Sequence, residues 1–144
     1  MRIMAIDFGD ARTGLAVSDL TGTLAGEAWT VTEWNEQRLA EQIAQEAAAR
    51  NVSRLVLGLP RNMDGSEGPR AEKCRKFADL LRESSGLPVS LWDERRTSVQ
   101  AHEILHASGK KMKAHKKNVD AIAAALILES YLGSADYFRD NRAK

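Results

Sequence analysis

The chain has 144 residues, of which 43% are hydrophobic and 28% are charged, and its formal net charge is +1. This composition excludes a disordered or collagen-like chain and fits one globular domain with a sizeable core. The small net charge also excludes nucleic-acid binding through overall basicity, so any such binding must depend on local clusters of cations.

Cysteine content and hydrophobic run lengths indicate the compartment. The single cysteine, Cys74, cannot form a disulfide within the chain, which is typical of a reducing cytosol. No apolar run reaches the length of a membrane-spanning helix, and Asp7 interrupts the short apolar start, unlike in a signal peptide. We therefore expect a cytoplasmic protein with no membrane partner.

The first part of the chain predicts three successive strands. Short runs that are apolar or alternate in polarity occupy residues 2–9, 13–19 and 26–32, and the links between them are short. Strands connected in this way form an antiparallel meander.

Helices and strands alternate in the next part of the chain. Apolar residues at helical spacing predict helices over residues 35–51 and 69–86, and apolar runs predict strands at 54–60 and 87–94. Alternation of this kind favours parallel strands joined by right-handed crossovers. The sequence therefore predicts an α/β domain with a five-stranded mixed sheet, three antiparallel strands followed by two parallel ones, flanked by helices.

The last part of the chain is helical and basic. A short helix is predicted over residues 98–109, followed by the basic segment KKMKAHKK (110–117) and by an apolar helix that ends near Leu132. Residues 134–144 are expected to be a polar C-terminal tail. We therefore predict a single domain over residues 1–133.

Carboxylates recur where the hydrophobic pattern favours apolar residues. Asp7 lies near the end of the first strand, on a face that is otherwise apolar, and Asp120 lies at the start of the apolar helix. Asp93 and Glu94 end the last predicted strand. Because ligands of open α/β sheets gather at the carboxyl ends of parallel strands, we expect these acids to lie near one another.

A group of close carboxylates suits divalent cations. Such carboxylates repel one another, and oxygen donors without His or Cys favour Mg²⁺ or Mn²⁺ over Zn²⁺. Two ions, about 3.5–4 Å apart, can activate water and stabilise the leaving oxygen in phosphodiester hydrolysis. We predict that Asp7, Glu94 and Asp120 are catalytic and bind two such ions. Asp93 is the substitute for Glu94, since adjacent strand residues point to opposite faces.

Each acid taken alone has a simpler explanation. Asp120 could stabilise the positive end of its helix, and the strand-end acids could pair with Arg95 and Arg96 at the surface. The co-occurrence of the acids on three elements favours the metal site.

Four segments resemble a known family. They are AIDFGDARTGLAVSD (5–19), LVLGLPRNMDGSEGPRA (55–71), WDERRTSVQA (92–101) and NVDAIAAALILESYL (118–132). In this order and spacing they are similar to the YqgF (RuvX) family, described both as pre-16S rRNA nucleases and as Holliday junction resolvases. The second and third segments are the most specific. The first loop reads Asp10-Ala11-Arg12, whereas many members of the family carry a lysine next to the arginine.

The resemblance implies an RNase H-like fold and a metal-dependent nuclease, a hydrolase that trims the 5′ end of the small-subunit ribosomal RNA precursor. It matches Asp7 and Asp120 to acidic positions of the family and places the third acid in the DER segment. The implied partners are nucleic acid, either structured RNA or branched DNA, and pre-ribosomal particles. A homodimer is compatible with this interpretation.

Other functions remain open at this point. A Holliday junction resolvase would act on branched DNA as a symmetric dimer. A non-catalytic ribosome assembly factor would keep the fold and bind nucleic acid. A sugar-kinase-like nucleotide binder also opens with a DxG strand, but it needs a second domain that 144 residues do not supply.

Cations near the acids are predicted to bind the phosphates of the nucleic acid. They are Arg12, Arg61, Arg95, Arg96, Lys110, Lys111, Lys113, Lys116 and Lys117. Such contacts give affinity that falls with salt and carries no sequence specificity. By contrast, Trp29, Trp34 and Trp92 are predicted to pack in the core or on the sheet rather than to stack on bases.

Overall fold

The computed structural model describes residues 1–20, 25–97 and 119–141. The predicted helix over 98–109 and the basic segment 110–117, with its five lysines, lie outside the described residues. In the part of the chain that is described, no helix is long and apolar enough to cross a membrane.

Five strands form one mixed sheet. They are β1 (Arg2–Asp7), β2 (Arg12–Ser18), β3 (Ala25–Thr32), β4 (Val52–Leu59) and β5 (Val89–Asp93). Their order is β3-β2-β1-β4-β5; β2 is antiparallel to β1 and β3, whereas β4 is parallel to β1 and β5. The predicted α/β sheet of three antiparallel strands followed by two parallel ones is confirmed.

Helices cover both faces of this sheet. Those of the described residues are α1 (Glu36–Ala49), α2 (Pro69–Ser85), α3 (Val119–Leu132) and α4 (Ala135–Asn141). Asn35 begins α1, because its side chain accepts a hydrogen bond from the Arg38 N–H. Pro69 suits the first turn of α2, and Gly86 ends that helix in the left-handed conformation, with φ of 70°.

Alternation along β1 separates two hydrophobic cores. Met4 and Ile6 point to the core that includes α1 and α2, whereas Ile3 and Ala5 point to the core built with α3. Asp7 continues the series of Ile3 and Ala5, so it belongs to the face covered by α3. The period of two in β1 thus carries a carboxylate to the end of an apolar row.

Helix α4 occupies residues for which the sequence analysis predicts no helix. Asp136 near its start pairs with Arg96, just beyond β5, at 2.7 Å, and Asp140 near its end accepts a hydrogen bond from Ser90 of β5 at 3.0 Å. The helix therefore lies along β5, from the carboxyl end of the strand to its amino end. Seven residues held largely by polar contacts give no clear apolar period, which explains why the sequence pattern does not indicate the helix.

Candidate active site

Asp7 is a partly buried carboxylate at the carboxyl end of β1. The pKa of its side chain is raised from 3.8 to about 6, chiefly by burial and also by repulsion from Asp120, with Arg70 acting in the opposite direction. Ionised Asp7 is therefore short of compensating positive charge in the folded protein.

Asp120 is brought to the sheet by a close approach of α3 to β2. Gly14 of β2 pairs with Asp7 of β1, and a Cβ atom at Gly14 would lie 1.8 Å from the Asp120 carbonyl oxygen. Only a glycine fits at this point, so the first turn of α3 can rest on the strand next to Asp7. The Asp120 carboxylate lies 3.6 Å from Nε of Arg12, whose side chain is 68% exposed.

Glu94 begins a short 3-10 turn, Glu94–Arg96, directly after β5. Its side chain lies over Gly58 of β4, where an added Cβ would be 3.2 Å from the Glu94 Cδ. The Glu94 pKa is raised from 4.5 to about 7, chiefly by burial and also by repulsion from Asp7, with a smaller opposing effect of Arg70. Glu94 is thus a second carboxylate that the fold holds with too little positive charge.

Asp7, Glu94 and Asp120 together are called the acidic site below. Asp7 interacts electrostatically with each of the other two. Among the described residues, no three His, Cys, Asp or Glu side chains are grouped closely enough to hold a metal ion in the conformations shown. The donor chemistry still fits a hard divalent cation, because the charge imbalance of buried, mutually repelling carboxylates is what such a cation relieves.

Asp93, the neighbour of Glu94, lies in a different environment. Arg95 binds its carboxylate at 2.6 Å, and Arg61 lies 3.8 Å from it. Arg61 also pairs with Glu67 at 3.1 Å, and Arg75 pairs with Glu67 at 2.7 Å. These five residues form what we call the arginine network. The Asp93–Arg95 hydrogen bonds lower the pKa of Asp93, so this acid has its compensating charge within the protein.

The arginines predicted to bind nucleic acid have different surroundings. Arg61 and Arg95 are members of the arginine network. Arg96 pairs with Asp136 and lies over the Trp92 ring at 4.2 Å. Arg12 lies at the acidic site and is mostly exposed. The predicted lysines at positions 110, 111, 113, 116 and 117 are outside the described residues.

Arg70 is a site residue that the sequence analysis does not include. Its guanidinium donates hydrogen bonds to the Phe8 carbonyl oxygen and, at 2.9 Å, to Asp10, and it lowers the pKa of both Asp7 and Glu94. Its position carries a usable signal. A helix that follows a parallel strand begins at the carboxyl edge of the sheet, so a cation beside the Pro69 start of α2 is expected to lie near the acids.

The three tryptophans do not share one environment. Trp92 is buried and Trp29 is partly buried against the core, with Arg50 over its ring at 4.1 Å, as predicted. The same prediction is wrong for Trp34, whose side chain is 73% exposed between β3 and α1. A connection between a strand and a helix follows neither periodicity, so the sequence pattern could not assign a face to this residue.

Comparisons with known proteins identify the family. A family model described as "RuvX: Holliday junction resolvase" matches residues 1–134. A protein of Thermoanaerobacter pseudethanolicus named "Putative pre-16S rRNA nuclease" is 40% identical, covering 93% of this chain and 97% of its own length. One of the same name from Halothermothrix orenii is 42% identical, over 92% and 94% of the two chains.

Solved structures share the fold at low sequence identity. Thermus thermophilus RuvC in complex with a Holliday junction substrate is 15% identical with a TM-score of 0.60, covering 91% of this chain and 94% of that one. The Holliday junction resolvase of fowlpox virus is 19% identical with a TM-score of 0.55, over 92% and 98% of the chains. The fold is therefore that of RuvC-like, RNase H-like resolvases.

Proposed function

Because this chain belongs to the RuvX family, we propose that it is a metal-dependent nuclease that hydrolyses phosphodiester bonds and processes the 5′ end of pre-16S rRNA in the cytoplasm. The observation that carries the proposal is the raised pKa of Asp7 and Glu94 at an edge of the sheet that Asp120 also reaches. The name of the curated relatives supports RNA as the substrate.

The residues that would hold Mg²⁺ or Mn²⁺ are those of the acidic site. Asp7 interacts with both other acids, so Asp7, Glu94 and Asp120 would hold the ions together. When bound, such ions supply a lowered pKa for an attacking water and charge stabilisation for the departing oxygen. Asp93 is not proposed as a ligand, because Arg95 and Arg61 already compensate its charge.

Two arginines beside the acidic site would have different roles, one in binding substrate and one in positioning Asp7. Arg12 is exposed next to Asp120 and would bind a phosphate close to the scissile bond. Arg70 attaches the loop after β1 to the start of α2 through the Phe8 carbonyl oxygen and Asp10. That attachment would keep the Asp7 backbone in the same position whether or not a cation is bound to its carboxylate.

The experiment that tests the proposal compares two substrates side by side. A structured RNA that carries a pre-16S 5′ extension and a four-way DNA junction are incubated with the protein in Mg²⁺, in Mn²⁺ and in chelator. We expect metal-dependent cleavage of the RNA and no cleavage in chelator. Binding without cleavage in any metal would favour a non-catalytic assembly factor and contradict the proposal.

A second candidate function is Holliday junction resolution. The description of the matching family model favours it. A resolvase must cut two strands at symmetric points, so it requires a dimer in solution. Paired symmetric cuts in the DNA junction, with the RNA left intact, would favour this candidate over the RNA nuclease.

A further inference from the structure

We propose that Trp34 is a stacking platform for an unpaired base of the nucleic-acid substrate. The inference rests on the proposed nuclease function and adds a substrate feature to it: a single-stranded segment next to the cleavage point. Trp34 is 73% exposed, although tryptophan has the largest ring of any side chain and usually packs in a core.

The position of Trp34 relative to the acidic site is fixed by the register of the sheet. Thr32 at the end of β3 pairs with Arg12 at the start of β2, and the Glu33 N–H donates to the Ala11 carbonyl oxygen at 2.9 Å. Trp34 follows directly, at the same edge of the sheet as Arg12. Asp7 shares its row of the sheet with Gly14 and Thr30, so Trp34 lies two strands across from Asp7 and four residues further along, roughly 10 Å in one direction and roughly 13 Å in the other. A strand whose scissile phosphate lies at the acids can therefore reach Trp34 within a few nucleotides.

The backbone on both sides of Trp34 is held in place. On one side Glu33 joins the Ala11 carbonyl oxygen, and its carboxylate accepts the Asn35 N–H at 3.1 Å. On the other side Asn35 accepts the Arg38 N–H at 2.9 Å and begins α1. An exposed ring on an ordered backbone stacks with a small additional loss of conformational freedom.

Charges around Trp34 favour a base over a phosphate as the docked group. Glu33 and Glu36 flank the ring in sequence, and Glu36 lies 3.8 Å from Lys73. These carboxylates would repel a phosphate placed on the ring, whereas the neutral face of a base is tolerated. Arg12, on the neighbouring strand β2, supplies the cation for the adjoining phosphate. Aromatic stacking accepts any base, so the contact would favour single-stranded over paired nucleic acid and would not depend on sequence.

The test measures binding in chelator, so that cleavage does not interfere. The probes are an RNA hairpin with a 5′ unpaired extension of roughly eight nucleotides and the same hairpin with a blunt end. We expect Trp34→Ala to weaken binding of the extended hairpin by roughly 5- to 100-fold and to leave the blunt hairpin unchanged. Trp34→Phe should retain most of the affinity, because phenylalanine also stacks.

A matched control and a second readout accompany the affinities. Phe138 on α4 is also an exposed aromatic residue, at 66%, but it lies beside β5, at the other lateral edge of the sheet, so Phe138→Ala should change neither affinity. The extended RNA should quench the tryptophan fluorescence of the wild type more than that of Trp34→Phe, since Trp29 and Trp92 remain in both.

The outcomes distinguish failure of the stacking inference from failure of the nuclease proposal. Equal weakening of both hairpins by Trp34→Ala, or of neither, would overturn the stacking inference and leave the nuclease proposal intact. A change from dimer to monomer on Trp34→Ala in sedimentation would also overturn it and assign the ring to a contact between copies. If the wild-type protein bound and cleaved no RNA, the nuclease proposal and the inference would fail together.

Discussion

Two adjacent carboxylates, Asp93 and Glu94, experience opposite environments at the end of β5. Asp93 belongs to the arginine network, and its pKa is lowered by its hydrogen bonds with Arg95. Glu94 turns to the face of Asp7 and α3, and burial raises its pKa to about 7. Two acids that are adjacent in sequence can therefore have different roles, and the charges around each carboxylate indicate which role it has.

The comparison shows which carboxylates are compensated by cations of the protein and which need a bound cation. In the arginine network, three arginines compensate the charge of two carboxylates within the protein and hold the loop after β4. Within the described ranges, the cations beside the acidic site are Arg70 and Arg12, and its carboxylates are partly buried and repel one another. Function is expected where the imbalance is, since it raises the free energy of the folded state until a cation binds.

The largest effects are expected when acids of the two regions are neutralised, beginning with the acidic site. We expect Asp7→Asn and Glu94→Gln to reduce cleavage by at least about 100-fold, more than the 10- to 100-fold typical of losing a residue behind a metal ligand. Both should be at least as stable as the wild type at pH 7. Initial rates and urea unfolding measure the two effects.

Asp93→Asn is the control for that pair. It should retain most of the activity and lose about 1 kcal/mol of the free energy of unfolding, because its ion pair with Arg95 is partly exposed. The opposite pattern, with Asp93→Asn inactive and Glu94→Gln active, would assign the third ligand to Asp93.

A second test displaces Glu94 without changing its charge. In Gly58→Ala the new Cβ would lie 2.7 Å from the Ile127 Cδ1 and 3.2 Å from the Glu94 Cδ, so both side chains must move. We expect cleavage to fall by about 10- to 100-fold, since small displacements of reacting groups have effects of this size. Gly68→Ala is the matched control, because a Cβ there has no atom within 4 Å. Equal activities of the two variants would contradict the position of Glu94.

The pH dependence of stability sharpens the comparison further. Asp7 and Glu94 have folded-state pKa values of about 6 and about 7, above their ordinary 3.8 and 4.5. Both acids bind protons more tightly when folded, so stability is fully present below pH 4 and falls as pH rises to about 7. The fall should be at most about 3 kcal/mol for each acid, reduced where solvent screens the partly exposed carboxylates, and it should shrink when Mn²⁺ is added. Urea unfolding of the wild type and Glu94→Gln at several pH values measures it; an unchanged slope in the variant would contradict the assignment.

The smallest expected effect concerns the arginines. Arg12→Gln should lower the slope of log affinity against log salt concentration for RNA by about 1, because one phosphate contact is lost. Arg75→Gln should leave the slope unchanged, since Arg75 belongs to the arginine network and pairs with Glu67. Equal slopes for Arg12→Gln and the wild type would remove Arg12 from the binding surface.

Much of the fold could be predicted because its elements have clear periods. The period of two assigns Asp7 to the face of Ile3 and Ala5, and the alternation of helices and strands gives the parallel half of the sheet. The resemblance to the YqgF (RuvX) family is confirmed by the match over residues 1–134.

Other features depend on contacts that no local pattern records. Arg61 is predicted to bind phosphate, but its pairing with Asp93 is decided by how the loop after β4 packs against the end of β5. That partner is tertiary, so composition and spacing could not give it. Arg70 reaches the acids because α2 begins at the edge of the sheet where β1 ends, so the start of a helix after a parallel strand is the place in the sequence where such a cation can be sought.

Helix α4 connects the last two strands of the sheet through its own polar groups. Its Asp140 backbone carbonyl and side chain receive hydrogen bonds from Arg54 of β4 and Ser90 of β5, and its Tyr137 contacts the Tyr131 ring of α3. A chain shortened to end at Gly133 would leave both donors without these acceptors and remove the ring contact. We therefore expect such a truncated chain to unfold at a lower urea concentration, so that a short polar helix with no catalytic group contributes to the stability of the whole domain.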